Sequence, residues 1–592
     1  MEIGADARVI APDLVEMARV GQFCRAYGVD NVLNEIEDTL AQNQSVVLIG
    51  PSGVGKTAVI REFAWRLARN KRSPVAPHKI FQISTSEMQA GANVIGTWEA
   101  RLEGLIMQAS QPEHPAVLYF TDLTNIGGAG TCLHNPTSFA DMLKPYVETR
   151  HVVIWGEADD EGWQNHKSRV PWMSRIFREI PMKEPTEAEL KELLSCMWME
   201  WTGRSPDNSD KKVIEQAIIL SGRFFHGTAY PGKAVHLLKE VMARCPDQGR
   251  SRRISPDEVA RALRFRTGLP DEIILDSRPL DLHRVESFFR ERVIGQEQAV
   301  SSVVETLARI KSGLCERRRP YGVLFFLGPT GVGKTELAKV VAEYLFGSPE
   351  RLIRFDMTEY QTPDAYERLI GGYFLPNTLQ IHGGLLTQAV RAHPFSVVLL
   401  DEFEKAHPSI HDLFLHVLDE GRLTNVHGEV TNFQSTILIL TGNVEQRASR
   451  EVEGVGFIQT PERSESKVCC ALEQVFSPEF LNRLDQVVIF RHLDEESVRK
   501  IAEKEVREFS LREGLVRRNI SVKVHPPVLD KVIQEGFSPR YGARSLKRAT
   551  QKWVGVPLAR WISANPGRGN MTLTLGMGED LMTVDCKVLG KV

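Results

Sequence analysis

Two octapeptides in this chain carry the residue types needed to hold a polyphosphate: GPSGVGKT from Gly50 to Thr57 and GPTGVGKT from Gly328 to Thr335. The glycines, Gly50, Gly53 and Gly55 in one loop and Gly328, Gly331 and Gly333 in the other, adopt backbone angles that turn successive N–H groups toward phosphate oxygens. Lys56 and Lys334 reach the terminal phosphates, and the hydroxyls of Thr57 and Thr335 ligate magnesium. A bare Gly-rich loop is weak evidence. Two full G-x-x-x-x-G-K-T matches, each preceded by an apolar run (SVVLI, VLFFL) and followed by a helical pattern, point to ATP with Mg2+.

A carboxylate follows each loop at nearly the same distance. AVLYFTD brings Asp122 to 66 residues past Lys56, and SVVLLDE brings Asp401 to 67 past Lys334. An acid at the end of a buried strand sits beside the bound magnesium, and a second acid orients the attacking water. The second copy has both, Asp401 then Glu402, whereas the first reads Asp122 then Leu123.

Positioning these residues requires two copies of one plan. Alternating strands and helices predict, for each copy, a doubly wound parallel sheet with its ligand at the carboxyl ends of the strands, an α/β fold. Helical patterns over 186–264 and 493–565 read as lids, and MTLTLG with LMTVDCKV as a small terminal hairpin. The boundaries implied are 1–180 and 181–267 for the first large subdomain and lid, 268–283 for a linker, and 284–491 and 492–592 for the second pair.

The balance of 73 basic against 76 acidic residues gives a net charge of −3, which excludes a globally basic footprint for nucleic acid. The basic clusters Gln248 to Arg253 and Glu316 to Pro320 read as solvated faces or subunit contacts. No apolar run approaches the roughly 18 to 20 residues that span a bilayer, and the acidic N-terminus does not read as a secretory signal, so a cytoplasmic protein is expected. Eight cysteines without a C-x-x-C pair suggest neither zinc nor disulfides and read as mostly buried thiols.

From VIGQEQAV at Val293 onward the chain resembles the second ATPase module of the Clp unfoldases of the AAA+ superfamily. RPYGVLFFLGPTGVGKTELAK, LLDEFEKAH, ILTGN, FSPEFLNRLDQVVIF and GFSPRYGARSLKR occur in the family's order. The resemblance implies roles for Lys334 and Thr335 at phosphates and magnesium, Asp401 at magnesium, Glu402 in water activation, Asn443 as sensor of the terminal phosphate and Arg544 as the lid's sensor arginine. It adds Val293 and Ile294 to the nucleotide-binding residues. Arg483, in FLNRLD, matches the family's arginine finger, which acts in the adjacent subunit and implies a homo-hexameric ring.

The first half resembles the first Clp module through GANVIGTWEARLEG, VLYFTDLTNIGGAG, FADMLKP and PGKAVHLLKE. Matched to the family's Asp-Glu pair, Asp122 takes the metal position and Leu123 leaves water activation unserved. The sensor position falls near Glu157 and Ala158, and of two finger arginines Arg175 is kept beside Ile176. This implies a module that binds ATP and helps hold the ring but hydrolyses it poorly. The alternative is that another acid, Glu157 or Asp159, substitutes.

For gripping an extended polypeptide, the family's pore tyrosine falls on Val94 in the first module, and Tyr373 and Phe374 are the candidates in the second; aromatics packed beneath the loop are the alternative. Val455, Gly456 and Phe457 match the tripeptide with which peptidase-coupled members plug a ClpP-like peptidase, unless Phe457 folds back onto its own module. The family's N-terminal and coiled-coil middle domains are expected to be absent. The function implied is ATP-driven protein unfolding; the alternatives are a nucleotide-regulated assembly scaffold and, lacking a clear basic channel, a nucleic-acid motor.

Overall fold

A computed structural model describes residues 11–69, 79–89, 97–111, 115–131, 137–244, 254–316, 318–371, 384–425, 430–443, 472–538, 542–577 and 582–588. The chain divides into two compact units, Met1–Leu263 and Arg264–Val592.

In the first unit β1 (Val46–Ile49), β2 (Lys79–Ile83), β3 (Ala116–Phe120), β4 (Val153–Ala158) and β5 (Arg178–Pro181) form a parallel sheet in the order β2-β3-β4-β1-β5. The second unit repeats it with β6 (Gly322–Leu327), β7 (Leu352–Asp356), β8 (Ser396–Asp401), β11 (Thr436–Gly442) and β12 (Gln486–Ile489), ordered β12-β6-β11-β8-β7; between them β9 (Arg422–Thr424) and β10 (Val430–Asn432) form a hairpin. Read from its other edge, the second order is the first, strand for strand. Val46–Ile49 and Gly322–Leu327 are buried at every residue, as parallel strands covered by helices on both faces must be, so their sequences are apolar runs without alternation. Each P-loop leaves the fourth strand of its sheet, counted from the β2 or β7 edge, at the carboxyl end and enters a helix, Lys56–Arg69 or Lys334–Phe346.

The helical lids are present: Glu187–Thr202, Asn208–Phe224, Gly232–Arg244 and Pro256–Thr267 follow the first sheet, and Glu495–Ser510, Pro526–Gly536, Leu546–Thr550 and Val556–Ala564 follow the second. The terminal hairpin pairs β14 (Met571–Met577) with β15 (Met582–Val588) and gains a third strand, β13 (Ile520–Val524), parallel to β14. Its five residues were too short a run to separate from the helices around them. Within residues 268–283 the helix Asp271–Ile274 buries Ile273 and Ile274. The expectation of buried thiols fails where it can be checked: Cys24 is exposed, and Cys196 and Cys315 are half-buried.

Candidate nucleotide sites

In the second P-loop, Gly328, Gly331 and Gly333 all have positive φ, the conformation that points loop N–H groups inward. Lys334 is buried, and its ammonium is folded onto the loop: it donates to the carbonyls of Gly328 and Pro329, and to Asn443 Oδ1 at 2.8 Å. Thr335 follows it at the start of the helix. Val293 is buried with its Cγ1 about a van der Waals contact from where a Gly333 side chain would begin, and Ile294 is half-buried beside it. Gln296, an ordinary polar residue in sequence, fastens this segment down by donating to Val332 O at 3.3 Å and Arg491 O at 2.9 Å while accepting from Arg491 N–H at 3.1 Å.

Asp401 and Glu402 are tied together by Thr441 of β11. The Thr441 hydroxyl donates to Asp401 Oδ1 at 2.5 Å and accepts from Glu402 N–H at 3.0 Å. Arg354 donates to the other Asp401 oxygen at 2.6 Å, and Lys405 pairs with the Glu402 carboxylate. Glu402 has φ +55°, a left-handed conformation that costs a non-glycine residue roughly 1–3 kcal/mol and recurs at active sites. Its neighbour Phe403 supplies the restraint, stacking on Phe476 and Phe480 with centroids 5.9 and 5.5 Å away. Glu404 accepts from Asn443 N–H at 2.9 Å, and burial pushes its carboxyl above the ordinary range. Thr441, Arg354 and Glu404 were missed because a threonine in a strand, an arginine before an Asp and a third acid carry no signal until the strands are adjacent.

Phe476 and Phe480 belong to the same FSPEFLNR segment as Arg483, so the aromatic stack joins the Glu402 turn to the helix Pro478–Leu481, which ends two residues before that arginine. Arg483 pairs with Asp419 and Glu479, and among the described residues it bonds to none of the P-loop or to Asp401 or Glu402. The lid meets the P-loop at the residues before Arg544: Ala543 N–H donates to Gly331 O at 3.0 Å, and Gly542 lies so close that an added Cβ would sit 2.7 Å from the carbonyl oxygens of Thr330 and Gly331. Arg544 itself is exposed beside this contact.

The first site has the same frame. Gly53 and Gly55 have positive φ, Lys56 donates to the carbonyls of Gly50 and Pro51, and burial lowers its pKa. The lid is docked by Ala229 N–H to Ser52 O at 2.7 Å and Gly232 N–H to Gly53 O at 2.9 Å.

The acids, however, are displaced from their expected roles. Asp122 precedes the short 3-10 turn Leu123–Asn125 as Glu402 precedes Phe403–Lys405, so Asp122 stands at the place of Glu402 and Thr121 at that of Asp401. Leu123, fully buried, is the counterpart of Phe403, a core residue rather than a lost catalytic one. Asp122 is turned away, its carboxylate accepting from the N–H and hydroxyl of Thr85. The sensor position also moves. Gly50 N–H bonds Ala158 O as Gly328 N–H bonds Gly442 O, which makes Asp159 the counterpart of Asn443; its carboxylate caps the helix Asp160–Arg169. Glu157, counterpart of Thr441, accepts from Thr57 Oγ1 at 3.1 Å and from the Tyr119 hydroxyl, and burial raises its pKa against both hydrogen bonds. Arg175 is exposed, while Ile176 packs on the core. One residue of slippage is invisible in sequence, because only strand pairing fixes it.

Val94, Tyr373, Phe374 and Val455 to Phe457 lie outside the described residues. Among the described residues no helix is long and apolar enough to cross a membrane, and no cluster of three or more His, Cys, Asp or Glu could hold a metal by itself.

Known proteins match both units. Residues 46–144 match the ATPase family associated with various cellular activities (AAA), residues 319–487 the AAA domain (Cdc48 subfamily), and residues 493–574 the C-terminal, D2-small domain of ClpB protein. The ATP-dependent Clp protease ATP-binding subunit ClpC of Staphylococcus aureus is 29% identical over 93% of this chain and 75% of its own length. Chaperone protein ClpB of Bacillus cereus is 28% identical over 97% of this chain and 80% of its own. A closed-state cryo-EM reconstruction of Hsp104 with ATPγS and FITC-casein superposes with a TM-score of 0.68 at 26% identity, covering 98% of both chains.

Proposed function

This chain is a Clp-type AAA+ ATPase with two modules, and on that premise we propose that it is a protein unfoldase whose ATP hydrolysis is concentrated in the second module. The observation that carries the division of labour is the pair of acids. In the second module Asp401 and Glu402 are bridged by Thr441 beside Lys334 and Asn443, whereas the first has Thr121 and a turned-away Asp122 at those places. The relatives that this chain resembles are a protease-coupled subunit and a chaperone, and Hsp104 was captured with casein, which favours a polypeptide as the substrate.

The donor set fits ATP and Mg2+. Hydroxyl and carboxylate oxygens of Thr335 and Asp401 are the hard ligands this cation prefers, and the positive-φ glycines with Lys334 suit phosphates. Held by Thr335 and Asp401, magnesium would supply neutralisation of charge building on the phosphoryl oxygens. Glu402 orients the attacking water, Asn443 contacts the terminal phosphate, and Arg544 reaches it from the lid. Arg483, held in its own chain by Asp419 and Glu479, serves the neighbouring subunit of a homo-hexamer.

In this reading residues 1–180 and 284–491 are the large ATPase subdomains, with lids at 181–267 and 492–592. The protein works in the cytoplasm, and Val455 to Phe457 couple it to a ClpP-like peptidase. The test is a stable folded domain bearing an unstructured tag. The wild-type chain with ATP should abolish its fold, the Glu402→Gln variant should hold it without unfolding it, and ATP turnover should rise when tagged substrate is added. Turnover indifferent to substrate, with the domain left folded, would favour a nucleotide-regulated scaffold.

A further inference from the structure

The two modules differ by an exchange across one pair of strands. In the second sheet Leu400 of β8 pairs with Leu440 of β11, so the next pair is Asp401 with Thr441. In the first sheet Phe120 of β3 pairs with Gly156 of β4, so the next pair is Thr121 with Glu157. The acid and the threonine have traded strands. Parallel neighbours are about 4.8 Å apart, so the trade moves a carboxylate by roughly one strand spacing within the same layer of the site.

The direction of the move matters. In the order β2-β3-β4-β1-β5, β4 lies directly beside β1, the strand that runs into the P-loop, and Glu157 pairs with Leu48 of β1. The acid has therefore moved toward Thr57, and its Oε2 accepts from the Thr57 hydroxyl at 3.1 Å. Tyr119 holds the other oxygen, fixing the side chain. Thr121, by contrast, turns its hydroxyl to the Ile83 carbonyl at 3.4 Å, on the side of β2. A hydroxyl and a carboxylate oxygen adjoining one P-loop lysine are hard ligands of the kind a nucleotide-borne divalent cation takes.

We propose that Glu157 is the metal-side carboxylate of the first module, replacing the acid that Thr121 no longer supplies, so that this module takes nucleotide as its magnesium complex. This rests on the reading of the first module as a nucleotide site and goes beyond it in naming the ligand. Asp122 then has no part in holding the metal.

The experiment uses the full chain with Lys334→Ala to silence the second site, and reads equilibrium binding of a fluorescent ATP analogue with and without Mg2+, together with Mn2+ bound per chain by electron paramagnetic resonance. Glu157→Gln should lower the magnesium-dependent gain in affinity on the order of tenfold or more, since even outer-shell partners of a metal site are worth 10–100-fold. Metal-free binding should stay unchanged, and bound Mn2+ should fall. The reciprocal exchange, Thr121→Asp with Glu157→Thr, should restore both readings and guards against a merely misfolded single variant. An unchanged magnesium dependence in Glu157→Gln overturns the proposal while leaving the nucleotide site intact, as does tighter binding irrespective of metal. Loss in the single variant without recovery in the exchange also overturns it, assigning Glu157 a structural part with Tyr119. Failure of the Lys334→Ala parent to bind any nucleotide overturns the first-module reading itself.

Discussion

Lys334 Nζ donates to Asn443 Oδ1 at 2.8 Å, joining residues 109 apart in the chain. The P-loop lysine and the end of β11 thus form one unit, and Glu404 anchors it from beneath through the Asn443 N–H. In the first module Asp159, the counterpart of Asn443, gives a carboxylate oxygen to a helix cap and, among the described residues, makes no hydrogen bond to Lys56, which donates to the Gly50 and Pro51 carbonyls instead.

Turnover should follow this difference. Glu402→Gln is expected to remove most ATP hydrolysis while sparing nucleotide binding, whereas Lys56→Ala should leave most turnover and mainly weaken assembly. Steady-state hydrolysis and sedimentation on both variants decide it; equal loss of turnover would place catalysis in both modules.

Arg483→Ala should leave nucleotide affinity nearly intact and lower hydrolysis by several orders of magnitude, as a finger stabilising transition-state charge is worth about 10³–10⁵. Its exposed pairs with Asp419 and Glu479 contribute about 0–1 kcal/mol, so the melting temperature should hardly move. Mutant subunits doped into wild-type rings should depress activity beyond dilution.

Gly542→Ala should loosen the second lid. Its φ of +59° already disfavours a side chain, and the added Cβ meets two P-loop carbonyls. Nucleotide affinity measured in a Lys56→Ala background should fall roughly tenfold or more, corresponding to about 1–3 kcal/mol of strain. Affinity at the first site, measured in a Lys334→Ala background, should be untouched.

The pH dependence of stability should change at Glu404. Burial raises its folded pKa, so the folded state holds the proton more tightly than the unfolded one. By linkage its contribution is most favourable below the ordinary carboxylate range and is lost as pH rises through the folded value. Glu404→Gln keeps an acceptor for the Asn443 N–H and removes the charge. Melting temperatures should match wild type in acid and exceed it above neutrality; a difference of the opposite sign would show that the ionised form is the stabilised one.

Phe457→Ala should abolish co-sedimentation with a ClpP-like peptidase without altering hydrolysis. Burial of one phenylalanine in a partner's pocket is worth roughly 1.5–3 kcal/mol per loop, multiplied by several loops acting together. Unaltered co-sedimentation with a lowered melting temperature would place Phe457 in its own module's core.

The sequence by itself determined the duplicated P-loops, the apolar strands leading into them, the acids of the second module and the lids, because each is a local pattern: glycines at fixed spacing, runs buried on both faces, helical periodicity. Pairing across strands was decided only by the tertiary structure. Asp122 against Leu123, and Glu157 against Asp159, are one and two residues apart in sequence, yet a shift of one residue in a strand turns a side chain to the opposite face. The sheet's register makes Leu123 the counterpart of Phe403, turns Asp122 toward Thr85 and brings Glu157 to Thr57. Thr441, Arg354, Gln296 and Glu404 are ordinary residue types whose part in the site comes from hydrogen bonds between distant segments, and those exist only once the strands and helices have packed.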